Sequence, residues 1–315
     1  MPVHPWIAER FALIRDIPSF DAAFGDPHFA AGWVAFNEDP ERWTPPAGVI
    51  TEEAVADGPH GPVPLVIFRP ATRAATPTSA LLWMHGGGFV VGTARDPESV
   101  IPGTELAARA GAVVVSVDYR LAVDGVQYPV PLDDVSAAWA WLTQHASELG
   151  VDPHRLFIGG ASAGANLAIS AAVRLRDAGE PVPRGMLLGY PLAHFPVPPI
   201  TPAFARELDD IPPMLRFPVE YQLGIVHNYI GRFDNLPADV APGNYDVGGL
   251  PEAWIAPDEY DDLRAAGEVL ADQLAAAGIP VHLELARGMV HGHLGRSPSL
   301  EPVDQTLDFF AAALR

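Results

Sequence analysis

Ser162 stands at the centre of Gly160-Ala161-Ser162-Ala163-Gly164, directly after the apolar run Leu156–Ile158 and before the apolar stretch Ala165–Val173. A serine at the tip of a tight strand-to-helix turn projects its hydroxyl above the sheet, and glycines two positions to either side permit the turn. The helix that follows aims its N-terminal amides and the positive end of its dipole at developing negative charge. That arrangement suits a serine nucleophile. The pentapeptide alone also reads as an ordinary turn of small residues, and it is the flanking strand and helix that favour chemistry.

A second candidate is Leu81–Phe89, reading LLWMHGGGF. Three consecutive glycines past an apolar strand are unfavourable in backbone entropy, so a close backbone approach to a ligand is a reason to hold them there. Acyl transfer requires amide N–H donors where a carbonyl oxygen becomes negative. Gly86 and Gly87 offer two, and Ala163, next to the serine, a third. His85 reads as a residue that shapes this loop by local hydrogen bonds. The nucleophile follows it by 77 residues (162 − 85).

Both motifs need a scaffold that brings strand ends together. From about residue 64, short apolar segments alternate with helical stretches. Expected strands are Leu65–Phe68, Ala80–Met84, Ala112–Val117, Leu156–Ile158, Met186–Leu188, Ala253–Ala256 and Val281–Leu285; several lack polar alternation, as strands covered on both faces do. Expected helices are Pro97–Ala110, Leu132–Leu149, Ala163–Ala178, Asp262–Ala277 and Val303–Leu314, four of them ending at a glycine. This pattern predicts an α/β fold: a mostly parallel central sheet with helices on both faces. Asp133 and Asp134 suit the first turn of their helix.

Two regions depart from the alternation. Residues 1–50 carry helical pieces, Trp6, Trp33, Trp43 and a Pro45-Pro46 stop; residues 194–250 are crowded with proline and aromatics. A long insertion between core strands suggests cover for a site. Residues 1–50 and 194–250 are therefore expected to meet as a cap, with 51–193 and 251–315 forming the core. Phe89, Trp33, Phe217 and Tyr221 are the candidate substrate-binding aromatics.

Composition narrows the chemistry. The 315 residues contain no cysteine, which removes disulfides, thiolate catalysis and cysteine-ligated zinc. All nineteen basic residues are arginine, so no Schiff-base, P-loop or Ser-x-x-Lys lysine exists. A net charge of −20 opposes binding to a phosphate backbone, so no nucleic-acid partner is expected. No apolar run approaches the ~20 residues that cross a bilayer, and the first sixteen residues lack a signal-peptide pattern, which gives a cytoplasmic expectation and no membrane partner.

With these motifs in order, the sequence resembles the hormone-sensitive lipase family of α/β-hydrolases over roughly residues 65–315. The resemblance rests on His85-Gly86-Gly87-Gly88, Asp118-Tyr119-Arg120-Leu121, Tyr128-Pro129-x-Pro131-Leu132-Asp133-Asp134, Gly160-Ala161-Ser162-Ala163-Gly164, Glu259-Tyr260-Asp261 and Val290-His291-Gly292. It implies an α/β-hydrolase fold with a helical cap and a serine carboxylesterase acting on short- to medium-chain esters, with no cofactor and no metal. A homodimer is a permitted state. Residues alone leave Asp258, Glu259, Asp261 and Asp262 open as the acid; the family pattern places the triad on Ser162, Asp261 and His291, and leaves His282 structural. The chain departs from the family at Ala161, where an Asp is usual, at Ala122-Val123-Asp124-Gly125 in place of Ala-Pro-Glu, and at His293, where an aromatic is common.

Other readings of the same residues are an amidase, deacetylase or lactonase on the same triad, and a non-catalytic small-molecule receptor. The complete serine, acid and histidine set argues against the receptor. A metallohydrolase built on His291 and His293 lacks an accompanying carboxylate motif.

Overall fold

Strands with no polar alternation need cover on both faces, and the fold supplies it. The protein is seen in a computed structural model that describes residues 2–315; Met1 lies outside the described residues. Ten strands occur: β1 Val49–Gly58, β2 Gly61–Pro70, β3 Thr78–Met84, β4 Val113–Val117, β5 Val151–Ala161, β6 Gly185–Gly189, β7 Glu252–Ala256, β8 Asp258–Tyr260, β9 Val281–Leu283 and β10 Ala286–Val290. Eight make one sheet in the order β1-β2-β4-β3-β5-β6-β7-β9, and β10 pairs with β8 in a separate ribbon. β2 is antiparallel to both its neighbours, and every pairing from β4 across to β9 is parallel.

Side chains along each core strand go alternately to two apolar cores. From β3, Ala80, Leu82 and Met84 enter one core, and Leu81 and Trp83 the other. The first core is closed by α5 (Val130–Leu149), α6 (Ala163–Asp177) and α9 (Arg264–Ala276) through residues such as Leu142, Leu167 and Leu270. The second is closed by α4 (Pro97–Ala110) and α10 (Glu301–Leu314) through Leu106, Leu307 and Phe310. Each such large apolar side chain, fully buried, contributes about 1.5–3 kcal/mol.

The expected strands all form; β8 and β10 are additions to them, and so is β1. It pairs with β2 through a tight turn, Gly58 opposite Gly61, with Thr51, Glu53 and Val55 facing solvent at the sheet edge.

Register decides what reaches the working edge of the sheet. Met84 lies opposite Gly160, Ala161 opposite Gly189, and Gly189 opposite Ala256. Four strands therefore end level, and the residues that follow them, His85, Ser162, Tyr190 and Pro257, emerge side by side, with Asp258 next in the chain. Ligands of open α/β sheets bind at such carboxyl ends.

The N-terminal segment folds as α1 (Pro5–Arg10), α2 (Phe20–Gly25) and α3 (Pro27–Phe36). The segment between β6 and β7 carries α7 (Pro202–Glu207), α8 (Val219–Ile230) and two short 3₁₀ turns. The two segments touch where α2 meets the turn Pro213–Leu215, and Ile7, Ile14, Met214 and Leu215 share the second core. Among the described residues no helix is long and apolar enough to cross a membrane.

Arg296 ties the N-terminal segment to the core. It is 4% exposed and donates from Nε to Asp39 Oδ1 at 2.7 Å and from Nη2 to the Phe36 carbonyl at 3.1 Å, while Asp39 Oδ2 accepts the Ser297 N–H at 2.6 Å. Removing one partner leaves a buried charge short of hydrogen bonds. Asp39→Ala is expected to destabilise the protein by about 2–4 kcal/mol in denaturant unfolding. Glu53→Ala, which breaks the solvent-exposed pair with Arg95, should stay within about 1 kcal/mol. Equal effects would contradict the anchoring role.

Candidate active site

Ser162 owes the direction of its hydroxyl to backbone that few serines adopt. Its φ of 54° and ψ of −116° turn the chain sharply from β5 into α6. The turn is held by its own N–H donating to Gly189 O at 2.9 Å and by its carbonyl accepting from Asn166 N–H at 3.1 Å. Asn166, fully buried, donates from Nδ2 to Leu192 O (2.8 Å) and Val240 O (3.0 Å), locking the first helical turn to the following loop. The glycines answer to space: a Cβ on Gly164 would collide with the Met84 and His85 carbonyl oxygens, and one on Gly160 with Gly164. Ala161 is fully buried among apolar neighbours such as Phe157 and Leu187, so the position carries packing and no polar group.

The structure brings Ser162, His291 and Asp261 into one hydrogen-bonded line. His291 Nε2 lies 3.0 Å from Ser162 Oγ, and its Nδ1 lies 2.7 Å from Asp261 Oδ2. Asp261, 1% exposed, also accepts the Leu263 N–H on Oδ1 at 2.9 Å. Of the other three acids, Glu259 accepts the Gly288 N–H at 2.6 Å, and Asp262 takes the Arg216 guanidinium and the Phe217 N–H. Asp258 faces His293. His282 pairs with Glu252 and stacks on Trp254, away from this line.

The His291 ring sits edge-on to Tyr190 and Phe217, at 4.9 and 4.5 Å between centroids. Burial, the largest single influence, pulls its pKa down. The Asp261 charge and hydrogen bond, with Asp258 and Glu98 behind them, outweigh that and leave it above the ordinary 6.5. His85 shows the opposite balance. Buried and stacked at 4.3 Å on Tyr119, its ring bonds from Nδ1 to Gly86 O, and burial keeps it below its ordinary value. It shapes the loop and does not face the serine's proton.

Two expectations need correction. The Gly86 N–H, expected to face a developing oxyanion, instead donates to Glu98 Oε2 at 2.6 Å. Phe89, expected to line the pocket, is fully buried and stacked on Tyr229 at 4.0 Å between centroids, so it supports the loop from behind. Gly87, with φ of 98°, turns the chain so closely on Val91 that no side chain fits, and both Gly87 and Gly88 border the pocket.

Ser162 and His291 open into a cavity of about 490 Å³. Leu192, Phe217, Tyr221, Ile225 and Leu263 line one side, and Ile7, Phe20, Trp33, Phe36, Met214 and Leu215 another. Trp33, Phe217 and Tyr221 are among the residues that line it.

Glu98 and Tyr190 were not legible as site residues. The Tyr190 hydroxyl donates to Glu98 Oε1 at 2.6 Å, so one carboxylate joins the glycine loop to the ring that abuts His291. In sequence, Glu98 is an ordinary acid in a first helical turn. The available signal was the position of Tyr190, directly after a core strand at the working edge. Asp258, Asp261 and His291 offer donor atoms within 4.8 Å of one another, but the last two already bond each other. His293, the other half of a His-x-His metal reading, is turned toward Asp258 and Thr306.

Known proteins repeat this architecture. The family described as alpha/beta hydrolase fold matches residues 81–295. The esterase LipI of Mycobacterium tuberculosis is 36% identical over 265 residues, covering 82% of this chain and 79% of that protein. Human hormone-sensitive lipase is 35% identical over 113 residues, 36% of this chain and 10% of its own length. A hyperthermophilic esterase from the archaeon Pyrobaculum calidifontis superposes with a TM-score of 0.80 at 26% identity, over 100% of this chain and 98% of that one. With the glycine loop, the serine turn and the histidine loop all in family order, the chain belongs to the hormone-sensitive lipase family of α/β-hydrolases.

Proposed function

We propose that this protein is a serine carboxylesterase that hydrolyses short- to medium-chain carboxylic esters through an acyl-enzyme on Ser162. The observation that carries the reading is the hydrogen-bonded line Ser162–His291–Asp261 ending in an apolar cavity. Relatives such as LipI bear the name esterase, which supports the same reaction class.

In the first half-reaction His291 Nε2 takes the Ser162 proton as Oγ bonds to the ester carbonyl carbon. Asp261 holds the Nδ1 proton and stabilises the imidazolium. The carbonyl oxygen becomes negative and receives the amides of Gly87, Gly88 and Ala163. Ala163 opens α6, where N–H groups have no helical partner, and among the described residues neither Gly87 nor Gly88 N–H donates to another protein group. The carbon–oxygen bond to the alcohol breaks and His291 protonates that alcohol. A water then gives its proton to His291 and its oxygen to the acyl carbon. The acid leaves and the proton returns to Ser162.

Residues 1–50 and 194–250 act in this reading as a cap that shields the acyl-enzyme. A cavity of about 490 Å³ sits in the lower half of the ~300–1,000 Å³ range of small-ligand sites, which supports short and medium acyl chains over long ones.

Hydrolysis of p-nitrophenyl esters from acetate to palmitate tests this directly. Activity should peak at short to medium chains and fall roughly 10³-fold or more in Ser162→Ala. Persisting turnover in that variant would move the nucleophile elsewhere, and amides cleaved faster than matched esters would change the substrate class.

The pH dependence follows from His291. It acts as a base only when neutral, and its pKa is raised above 6.5. The acid limb of kcat/KM should therefore inflect above pH 6.5 and move toward lower pH in Asp261→Asn, which removes the charge that favours the imidazolium.

Glu98 gives a third test. Glu98→Ala frees the Gly86 amide and the Tyr190 hydroxyl together, so kcat should fall about tenfold or more with KM nearly unchanged. A change in KM alone would show that Glu98 serves binding.

A further inference from the structure

The mechanism leaves His293 unused, although it stands two residues beyond His291. Its side chain and that of Asp258 are both wholly buried, with Nδ1 2.5 Å from Oδ1. The contact lies off the ideal hydrogen-bond line, yet neither atom has any other partner. The second ring nitrogen, Nε2, lies 3.0 Å from Thr306 Oγ1. The Thr306 hydroxyl spends its own proton on Pro302 O at 3.0 Å, so it accepts from His293, and Nε2 carries a proton.

That assignment leaves one proton to satisfy both Nδ1 and Oδ1. The pair is neutral overall whether the proton sits on the imidazole or on the carboxyl, and burial, which raises the Asp258 pKa, favours sharing over a bare carboxylate. Asp258 also accepts the Gly292 N–H on Oδ2 at 3.1 Å, at the left-handed residue (φ 94°) that separates the two histidines. The Tyr190 ring stands edge-on to both of them.

We propose that Asp258 and His293 form a second, buried carboxylate–imidazole pair that shares one proton, clamps the Gly292 turn so that His291 meets Ser162, and sets its acidic end behind the catalytic imidazole. The pair is a positioning element, and this role rests on the catalytic reading of Ser162, His291 and Asp261.

His291 faces Ser162 from the serine turn, Asp258 from β8, Asp261 just after it, and the Glu98 charge from α4, with Tyr190 and Phe217 ring edges closing its sides. His293 faces Asp258, Thr306 of α10 and Tyr190. Because the Asp258 donor atom lies within 4.8 Å of the one on His291, its negative end favours the imidazolium that forms in the reaction.

Asp258→Asn is the discriminating variant. Its amide oxygen still accepts from Gly292 and its NH₂ donates to His293 Nδ1, so the fold and the tautomer survive while the charge goes. Nitrogen-15 NMR of the histidines reads the result without substrate, beside kcat, KM and pH profiles on p-nitrophenyl butyrate. In the wild type, His293 should carry its proton on Nε2. In Asp258→Asn, the His291 titration and the acid limb of kcat should move together to lower pH by roughly half a pH unit or more, with kcat reduced several-fold and KM little changed. His293→Phe, which orphans Asp258, should melt below the double variant Asp258→Ala/His293→Phe, which removes both polar groups.

A His293 ring that nitrogen-15 NMR finds without a proton on Nε2 would overturn the proposal. So would an Asp258→Asn protein whose His291 titrates unchanged, since packing alone would then explain the pair. If the wild type hydrolyses no ester, the catalytic reading fails, while the NMR titrations still decide whether the pair exists.

Discussion

The close packing of the serine turn against the end of β3 is the constraint on which the site depends. Gly160 and Gly164 bring the β5–α6 backbone against the Met84 and His85 carbonyls, where no Cβ fits. The same contact sets the distance between Ser162 and the glycine loop, because the loop starts where β3 stops. Parallel register then brings Tyr190 and the Asp258–Asp261 segment to the same edge without further design. Catalytic geometry here is a property of flush strand ends, and the two apolar cores hold those ends in place.

The histidine loop stands outside the main sheet: β10 pairs with β8, Val290 opposite Tyr260, which brings His291 beside Asp261, and polar ties from several directions secure it further. Arg296 and Ser297 bind Asp39 of the N-terminal segment, Gly292 binds Asp258, and Gly288 binds Glu259. On the acid side, Asp262 holds Arg216 and Phe217 of the segment that follows β6. Each half of the proposed cap is thus bonded to a loop that carries one member of the Ser–His–Asp line. The cover and the chemistry share their fixings, so a displaced cap also displaces the acid or the base.

Much of this was legible in the sequence for a physical reason. Strands such as Val113–Val117 are buried on both faces and so cannot hide their apolar character, and helix α4 has the expected bounds, Pro97 to Ala110. β1 was missed because it is an edge strand, where Glu52 and Glu53 are tolerated and alternation is blurred by partial exposure. At the site, the residues on short motifs were found, whereas Glu98, Tyr190 and the Asp258–His293 pairing depend on contacts between segments far apart in sequence. Gly86 and Phe89 were misread because amide direction and ring orientation in a loop depend on neighbours that spacing does not reveal; Glu98 captures one and Tyr229 the other.

The backbone at Ser162 has an evolutionary side. A non-glycine residue held at φ 54° and ψ −116° stores strain of order 1–3 kcal/mol, which the surrounding hydrogen bonds sustain. Glycine at that position would relax the turn, and with it would go the hydroxyl. With Ser162 as the proposed nucleophile, stability and activity pull in opposite directions at a single codon, and a lineage released from selection for ester cleavage would gain robustness by losing that serine first.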